Sequence, residues 1–144
     1  MNLLGVLDLS SGALKAERLR AEVVAANLAN AETTRTPEGG PYIRQQVVFS
    51  AARGTSFASL GQSLADLQVP TVAVTGPVSD PTPPTLRYQP GHPDANADGM
   101  VAYPSINPMQ EMVDLMGAAR AYQLNAAAVQ TTKSMIQSSL DIMH

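Results

Sequence analysis

Apolar side chains in the last third of the chain recur three and four residues apart: Met112, Leu115, Ala119, Tyr122, Ala126, Val129, Ile136, Leu140 and Met143, interrupted only by Lys133. A 3,4 alternation kept up over about four heptads predicts a long helix with a coiled-coil seam rather than an ordinary surface helix. Its start is marked by Asn107 as a cap, by Pro108 where a missing N–H costs nothing, and by Gln110 placed to complete a capping box. Running from Pro108 to His144, such a helix would reach ~55 Å at 1.5 Å per residue. It carries few charges, namely Glu111, Asp114, Arg120, Lys133 and Asp141, while Met109, Met116, Leu124 and Met135 lie off the seam. A helix apolar on more than one side expects burial on more than one side.

The N-terminal stretch mirrors it. Leu3, Leu7, Leu14, Ala21, Val24, Leu28 and Ala31 keep the same spacing, interrupted by Ser10 and Glu17, and a second row of Ala16, Leu19, Val23 and Ala26 flanks them. Gly12 and two neighbouring serines lower helix propensity, so a fray or kink is expected there. From Val23 to Ala31 there is no charge at all, which reads as a contact surface. Asn27 and Asn30 sit at i, i+3 inside this apolar turn, where an unpaired amide would be costly. Two readings are open for them: solvated amides at a frayed end, or register-setting hydrogen bonds to a neighbouring subunit or to the turn that follows.

Between the helices the pattern changes. Pro37, Gly39, Gly40 and Pro41 end the first helix. Tyr42 to Phe49 then reads as a strand with Ile43, Val47 and Phe49 on one face, and Val69 to Thr75 and Thr85 to Gln89 are further strands, with Pro70 marking an edge. A short amphipathic helix is expected over Ser56 to Leu67, through Phe57, Leu60 and Leu64. A β-element of roughly two to four strands needs a helix or a neighbour to cover it. The predicted fold is therefore α+β: long N- and C-terminal helices paired as an antiparallel coiled coil, with a small β-rich, Pro/Gly-rich middle. The divisions fall at 1–34, 35–106 and 107–144.

Composition narrows the function. The 144 residues carry a net charge of −3 with both signs interspersed, so no basic patch supports nucleic-acid binding. There is no Cys, which removes disulfide scaffolds, thiolate metal sites and thiol nucleophiles. No apolar run approaches the ~20 residues of a membrane span, so direct membrane insertion is not expected. Met1, Asn2 and Leu3 give no basic n-region, and Asp8 interrupts the apolar run, so export would need no cleaved signal.

Local chemistry is sparse. Asp94, Asn96, Asp98 and Gly99 reproduce the first half of a calcium-binding loop, but the twelfth position is Ser105 rather than Glu and prolines replace the flanking helices. A tight turn is the better reading. Gly61 to Ala65 resembles a nucleophile elbow only loosely, because Ala65 stands where the closing Gly belongs. His92 and His144 have no partner at i+4, and the methionines of the last helix, without His or Cys, read as adaptable packing rather than a soft-metal site. No cofactor, metal or catalytic constellation is expected. The alternatives to a structural protein are a soluble helical-bundle interaction protein and a calcium module.

The charge-free segment from Val23 to Ala31, followed by a Thr-rich turn, resembles the N-terminal signature of the bacterial flagellar rod and hook axial proteins. Gly40 to Phe49, Tyr88 to Pro93, Ala95 to Val101, Glu111 to Met116, Arg120 to Asn125 and Lys133 to Met135 extend the likeness and narrow it to the proximal rod. It covers nearly the whole chain in order and departs between Ala51 and Thr85, where this sequence is longer and richer in Pro. The resemblance implies a structural subunit exported through the flagellar type III apparatus and built into the rod that crosses the periplasm. Implied partners are other copies of itself, the rod proteins FlgB, FlgF and FlgG, and the basal-body adaptor FliE. The expected assembly interface is Leu7, Leu14, Val24, Asn27, Leu28, Asn30, Met112, Leu115, Met116, Tyr122, Leu124, Val129, Ile136 and Leu140. Because such helices expose apolar surface before assembly, their ends are expected to order on docking.

Overall fold

The computed structural model describes residues 3–52 and 71–141. The helix expected over Ser56 to Leu67, the Gly61 to Ala65 motif, Pro70, Met143 and His144 lie outside the described residues. The element order is α1 (Leu3–Ala29), β1 (Gln45–Ala52), β2 (Thr71–Ser79), β3 (Thr85–Tyr88), β4 (Met100–Tyr103) and α2 (Pro108–Asp141). This is the α+β arrangement that the periodicity predicts.

The two helices pack against each other antiparallel. Asn27 meets Glu111 at 3.2 Å and Arg20 meets Asp114 at 3.5 Å, so residue numbers fall on α2 as they rise on α1. The start of α2 is capped as its sequence requires. The Asn107 side-chain oxygen accepts from the Met109 N–H at 3.1 Å, and its carbonyl accepts from Glu111. Gln110 returns no bond among the described residues, so only half of the expected box forms.

Helix α1 runs without a break through Gly12, contrary to the kink expected there. Gly12 lies beside β2, where a Cβ would stand 3.4 Å from the Val72 carbonyl oxygen, an ordinary contact distance. The helix ends at Asn30, whose side-chain N–H donates to the Ala26 carbonyl at 2.9 Å while its oxygen accepts from the Thr33 hydroxyl. Of the readings open for Asn30, the bond to the following turn is the one that forms. Gly39 and Gly40 then take φ of 90° and 79°, a left-handed conformation that other residues adopt only at a cost.

The middle of the chain forms two antiparallel pairs, β1 with β2 and β3 with β4. The first pair lies on α1. Strand β1 starts at Gln45, three residues later than expected, leaving Ile43 outside it and 55% exposed. Val47 falls at a register shift opposite Gly76 and Pro77, where the ladder skips from Gln46–Val78 to Val48–Thr75. Pro77 has no N–H to give, so the irregularity lets β2 continue to Ser79 instead of stopping before Gly76. The strand β4 was not foreseen. Val101 and Tyr103 point inward from it while every residue of β3 stays exposed.

The interior of the helix pair is built from small and polar side chains. Ser10, Ala16, Val23, Val24 and Asn27 are buried from α1, and Glu111, Ala118 and Thr132 from α2. The expected seam is therefore displaced. Leu115, Val129 and Ile136 are half-buried, but Met112, Ala119 and Ala126 are exposed, and the inward positions are Glu111, Ala118, Asn125 and Thr132, spaced by seven. The apolar periodicity is real; what faces α1 is the stripe beside it.

Candidate functional site

The chemically densest point is where α1, the segment before β1, the end of β2 and the first turn of α2 converge. Asn27 is fully buried there. Its amide N–H groups donate to the Gln45 carbonyl at 2.8 Å and to a Glu111 carboxylate oxygen at 3.2 Å. Its oxygen accepts from the Gln45 backbone N–H at 2.9 Å and from the Tyr42 hydroxyl at 3.2 Å. One side chain thus pairs with both backbone groups of Gln45, as a neighbouring strand would, and all its hydrogen-bonding capacity is used. Asn27 fixes register inside the subunit; the neighbouring-subunit bond envisaged for it is excluded by its complete burial.

Glu111, only 1% exposed, accepts from Arg44 Nε at 2.8 Å and pairs with Arg44 Nη2 at 2.7 Å. Arg44 also reaches Asp80 at 3.3 Å, and Asp80 accepts from Gln46 and from the Thr82 N–H and hydroxyl. Burial alone would lower the Arg44 pKa, but the hydrogen bonds and charges of Glu111 and Asp80 outweigh it and the net direction is up, so the guanidinium stays charged. Burial, with the charge of Glu111 second, raises the Tyr42 phenol above its ordinary value. The Thr82 hydroxyl and N–H, more than Arg44 and Gln46, hold the Asp80 carboxyl below the usual carboxylate range despite its partial burial.

An open groove of about 380 Å³ beside this knot is lined by Arg44, Asp80, Ser105, Asn107 and Glu111. Every charge in it is already paired, so the knot is a structural junction and not a set of groups poised for chemistry. The loop that imitates half a calcium site is likewise engaged. Asp94 accepts from the Thr34 hydroxyl at 2.8 Å, the Asn96 side chain accepts from the N–H groups of Asp98 and Met100, and Gly99 turns at φ 73°. Among the described residues no cluster of three acidic or histidine groups could hold a metal, and no helix is long and apolar enough to cross a membrane.

The outer side of α2 contrasts with the knot. Met109, Val113, Met116, Leu124 and Met135 are between 54% and 70% exposed, and Met112, Tyr122 and Leu140 between 43% and 56%. Of the expected assembly residues, Met112, Met116, Tyr122, Leu124 and Leu140 lie on this open side; Leu7, Leu14, Leu28, Asn30, Leu115, Val129 and Ile136 are half-buried. Val24 and Asn27 are buried within the subunit and are corrected to internal packing residues. Sequence reasoning missed Tyr42, Arg44, Asp80 and Glu111 as a group. No local signal joins them, because Glu111 finds Arg44 and Asn27 at 67 and 84 residues' separation.

Comparison with known proteins identifies both ends of the chain. Residues 7–35 match the family model described as flagella basal body rod protein, and residues 97–142 match the model described as flagellar basal body rod FlgEFG protein C-terminal. These stretches contain most of α1 with its closing turn, and β4 with α2. The flagellar basal-body rod protein FlgC of Borreliella burgdorferi is 36% identical, with 99% of each chain covered. The FlgC of Yersinia enterocolitica is 37% identical over 99% of this chain and 98% of its own, and that of Bacillus subtilis 39% identical over 94% and 95%. With identity of this order over nearly the whole length, the chain belongs to the FlgC family of flagellar basal-body rod proteins and is a structural subunit of the rod.

Proposed function

We propose that this rod subunit polymerises through the outward apolar faces of its two terminal helices, with α2 supplying the larger share. The observation that supports the reading most directly is the row of exposed Met109, Val113, Met116, Leu124 and Met135 on a helix whose interior side is small and polar. Covering each such side chain is worth ~1.5–3 kcal/mol, so a few per interface suffice for a durable contact. Leu7, Leu14 and Leu28 of α1, with Leu115, Val129 and Ile136 of α2, lie half-buried along the pair and extend the contact.

In this reading residues 1–34 and 107–144 form the assembly core and 35–106 a β-rich middle that ties the helices together. Contacts between unlike faces of successive copies generate a helical polymer rather than a closed pair. The neighbours are further copies and the other rod proteins, FlgB, FlgF and FlgG, with FliE at the base. The subunit reaches the periplasm through the flagellar type III apparatus without a cleaved signal and carries no catalytic role. The helix ends farthest from the knot order on docking. Close packing of small residues between the helices resists shear, as a shaft that transmits torque requires.

The test is the double variant Met116→Glu with Leu124→Glu. Incorporation into rods and swimming should be lost while the circular dichroism of the purified subunit is unchanged. Normal incorporation of that variant would remove the outer face of α2 from the interface.

A further inference from the structure

The exposed sides of the two helices differ in size and charge. On α2, Met109, Val113, Met116, Arg120 and Leu124 follow at steps of three and four, so they form one row along the outside of the helix. Its apolar members are 60% to 70% exposed. Arg120 is the only charge in the row, and it forms no ion pair among the described residues. On α1 the exposed row runs from Asp8 through Lys15, Arg18 and Glu22 to Ala25 and Ala29, with Ala26 beside them. Its first part is charged; its last two turns present only methyl groups. Arg18 donates to one oxygen of Glu22 at 2.9 Å in an ion pair open to solvent, which leaves the carboxylate able to accept a second guanidinium.

Copies in a polymer of one polarity all run the same way, whereas α1 and α2 of one copy run opposite ways. Helix α2 of one copy therefore meets α1 of the next antiparallel. A lone cation in an apolar row needs a carboxylate opposite it once water is excluded. The outer row of α1 offers Asp8 and Glu22, and Glu32 follows on the turn beyond. With Arg120 set against Glu22, Met116 and Gly117 fall against Ala26 and Ala25, and Val113 against Ala29. With Arg120 set against Asp8, Val113 falls on Lys15 instead. With Arg120 set against Glu32, Met116 and Val113 pass beyond Ala29, where α1 ends. Only the Glu22 register puts the cation on a carboxylate and the large side chains on small ones.

We propose that Arg120 of one copy pairs with Glu22 of the next, and that this pair sets the register in which the outer row of α2 lies on the alanines of α1. The inference rests on the reading that the outward faces of the terminal helices join the copies, and adds which face meets which. The two surfaces complement each other and not themselves, so the contact repeats from copy to copy instead of closing on a pair. The apolar side chains supply the buried area, and methionine adapts to the shallow surface that alanines leave. The charges supply the choice of register: a slip of one turn sets Arg120 against Ala26 or against Arg18.

The test is a charge exchange in the full chain: Arg120→Glu, Glu22→Arg, and both together, with incorporation read as subunit recovered in purified basal bodies. Both positions are exposed, so the circular dichroism and unfolding midpoint of each purified variant should match the native chain. Each single reversal should lower incorporation at least about tenfold, because it sets like charges face to face. The exchange should restore it to within about twofold of native, as a pair that meets directly requires. Normal incorporation of Arg120→Glu would overturn the proposal, and so would an exchange that incorporates no better than the single variants. The Met116→Glu/Leu124→Glu variant separates the two levels. If it is excluded from rods while the exchange fails, the outer face of α2 remains an interface and the Arg120–Glu22 register falls; if it enters rods normally, both fall.

Discussion

The two sides of α2 invert the usual arrangement of a helix on a small protein. Inside, a buried carboxylate, an amide, one hydroxyl and an alanine meet α1; outside, methionines, leucines and a valine stand in the open. A protein selected only for its own stability would do the opposite. The difference teaches that this subunit rests on a few well-satisfied polar contacts and leaves large apolar side chains of α2 exposed. Changes on the inner side disturb contacts within the subunit, whereas those contacts do not involve the outer side.

The contrast should be broken most severely at Glu111. Glu111→Ala leaves Arg44 with Asp80 alone and removes an acceptor from Asn27, and should cost about 2–3 kcal/mol in urea unfolding. That is below the ~3–5 of a fully buried broken pair because Arg44 keeps one partner and part of its solvent. Arg44→Met added to a Glu111→Leu change should be less destabilising than the sum of the two single changes, as a coupled pair requires. At the far edge of the middle segment, Gly99→Ala should cost about 1–2 kcal/mol by thermal unfolding. Its φ of 73° disfavours any side chain, and a Cβ would meet the Tyr88 ring at 3.0 Å and Pro90 at 3.1 Å.

On the outer side Leu124→Glu alone should change unfolding stability by no more than about 0.5 kcal/mol, since the side chain is 66% exposed in the subunit. A loss several times larger would show that the outer face packs internally.

The smallest effect concerns acid. Because the folded state holds Asp80 below the ordinary carboxylate range, through Thr82 first and then Arg44 and Gln46, its contribution is fully present above that range. It is lost as pH falls through the depressed folded value. Stability measured between about pH 5 and pH 2 should fall less steeply in Asp80→Asn than in the native chain.

Much of the fold was legible in the sequence, for reasons particular residues make plain. The 3,4 spacing from Met112 to Leu140, the capped start at Asn107 and the breakers Pro37, Gly39 and Gly40 depend on neighbours in the chain, so local physics defines both helices and their ends. Strand β3 emerged where it was expected. Strand β4 was hidden because Met100 to Tyr103 is short and lies beside a loop that mimics a calcium site. Gly12 has a low local propensity, yet α1 continues through it, because one weak residue is carried by the turns on either side.

The candidate surface was half legible. Met112, Met116, Tyr122, Leu124 and Leu140 were named from periodicity and lie exposed, but Val24 and Asn27 were named with them and are buried. Periodicity finds an apolar stripe without saying whether it faces in or out. Arg44 and Asp80 stand 36 residues apart, and Asn27 and Glu111 84 apart, so no local pattern could join them.

The sequence by itself determined that there are two long helices with apolar stripes, a strand-forming middle, and a family signature spread over nearly the whole length. The tertiary structure alone decided which stripe of α2 meets α1. There a buried carboxylate, Glu111, meets a guanidinium 67 residues and an amide 84 residues away in the chain. Which side of a helix is covered depends on groups distant in the chain, while the spacing of apolar residues fixes only that the segment is a helix.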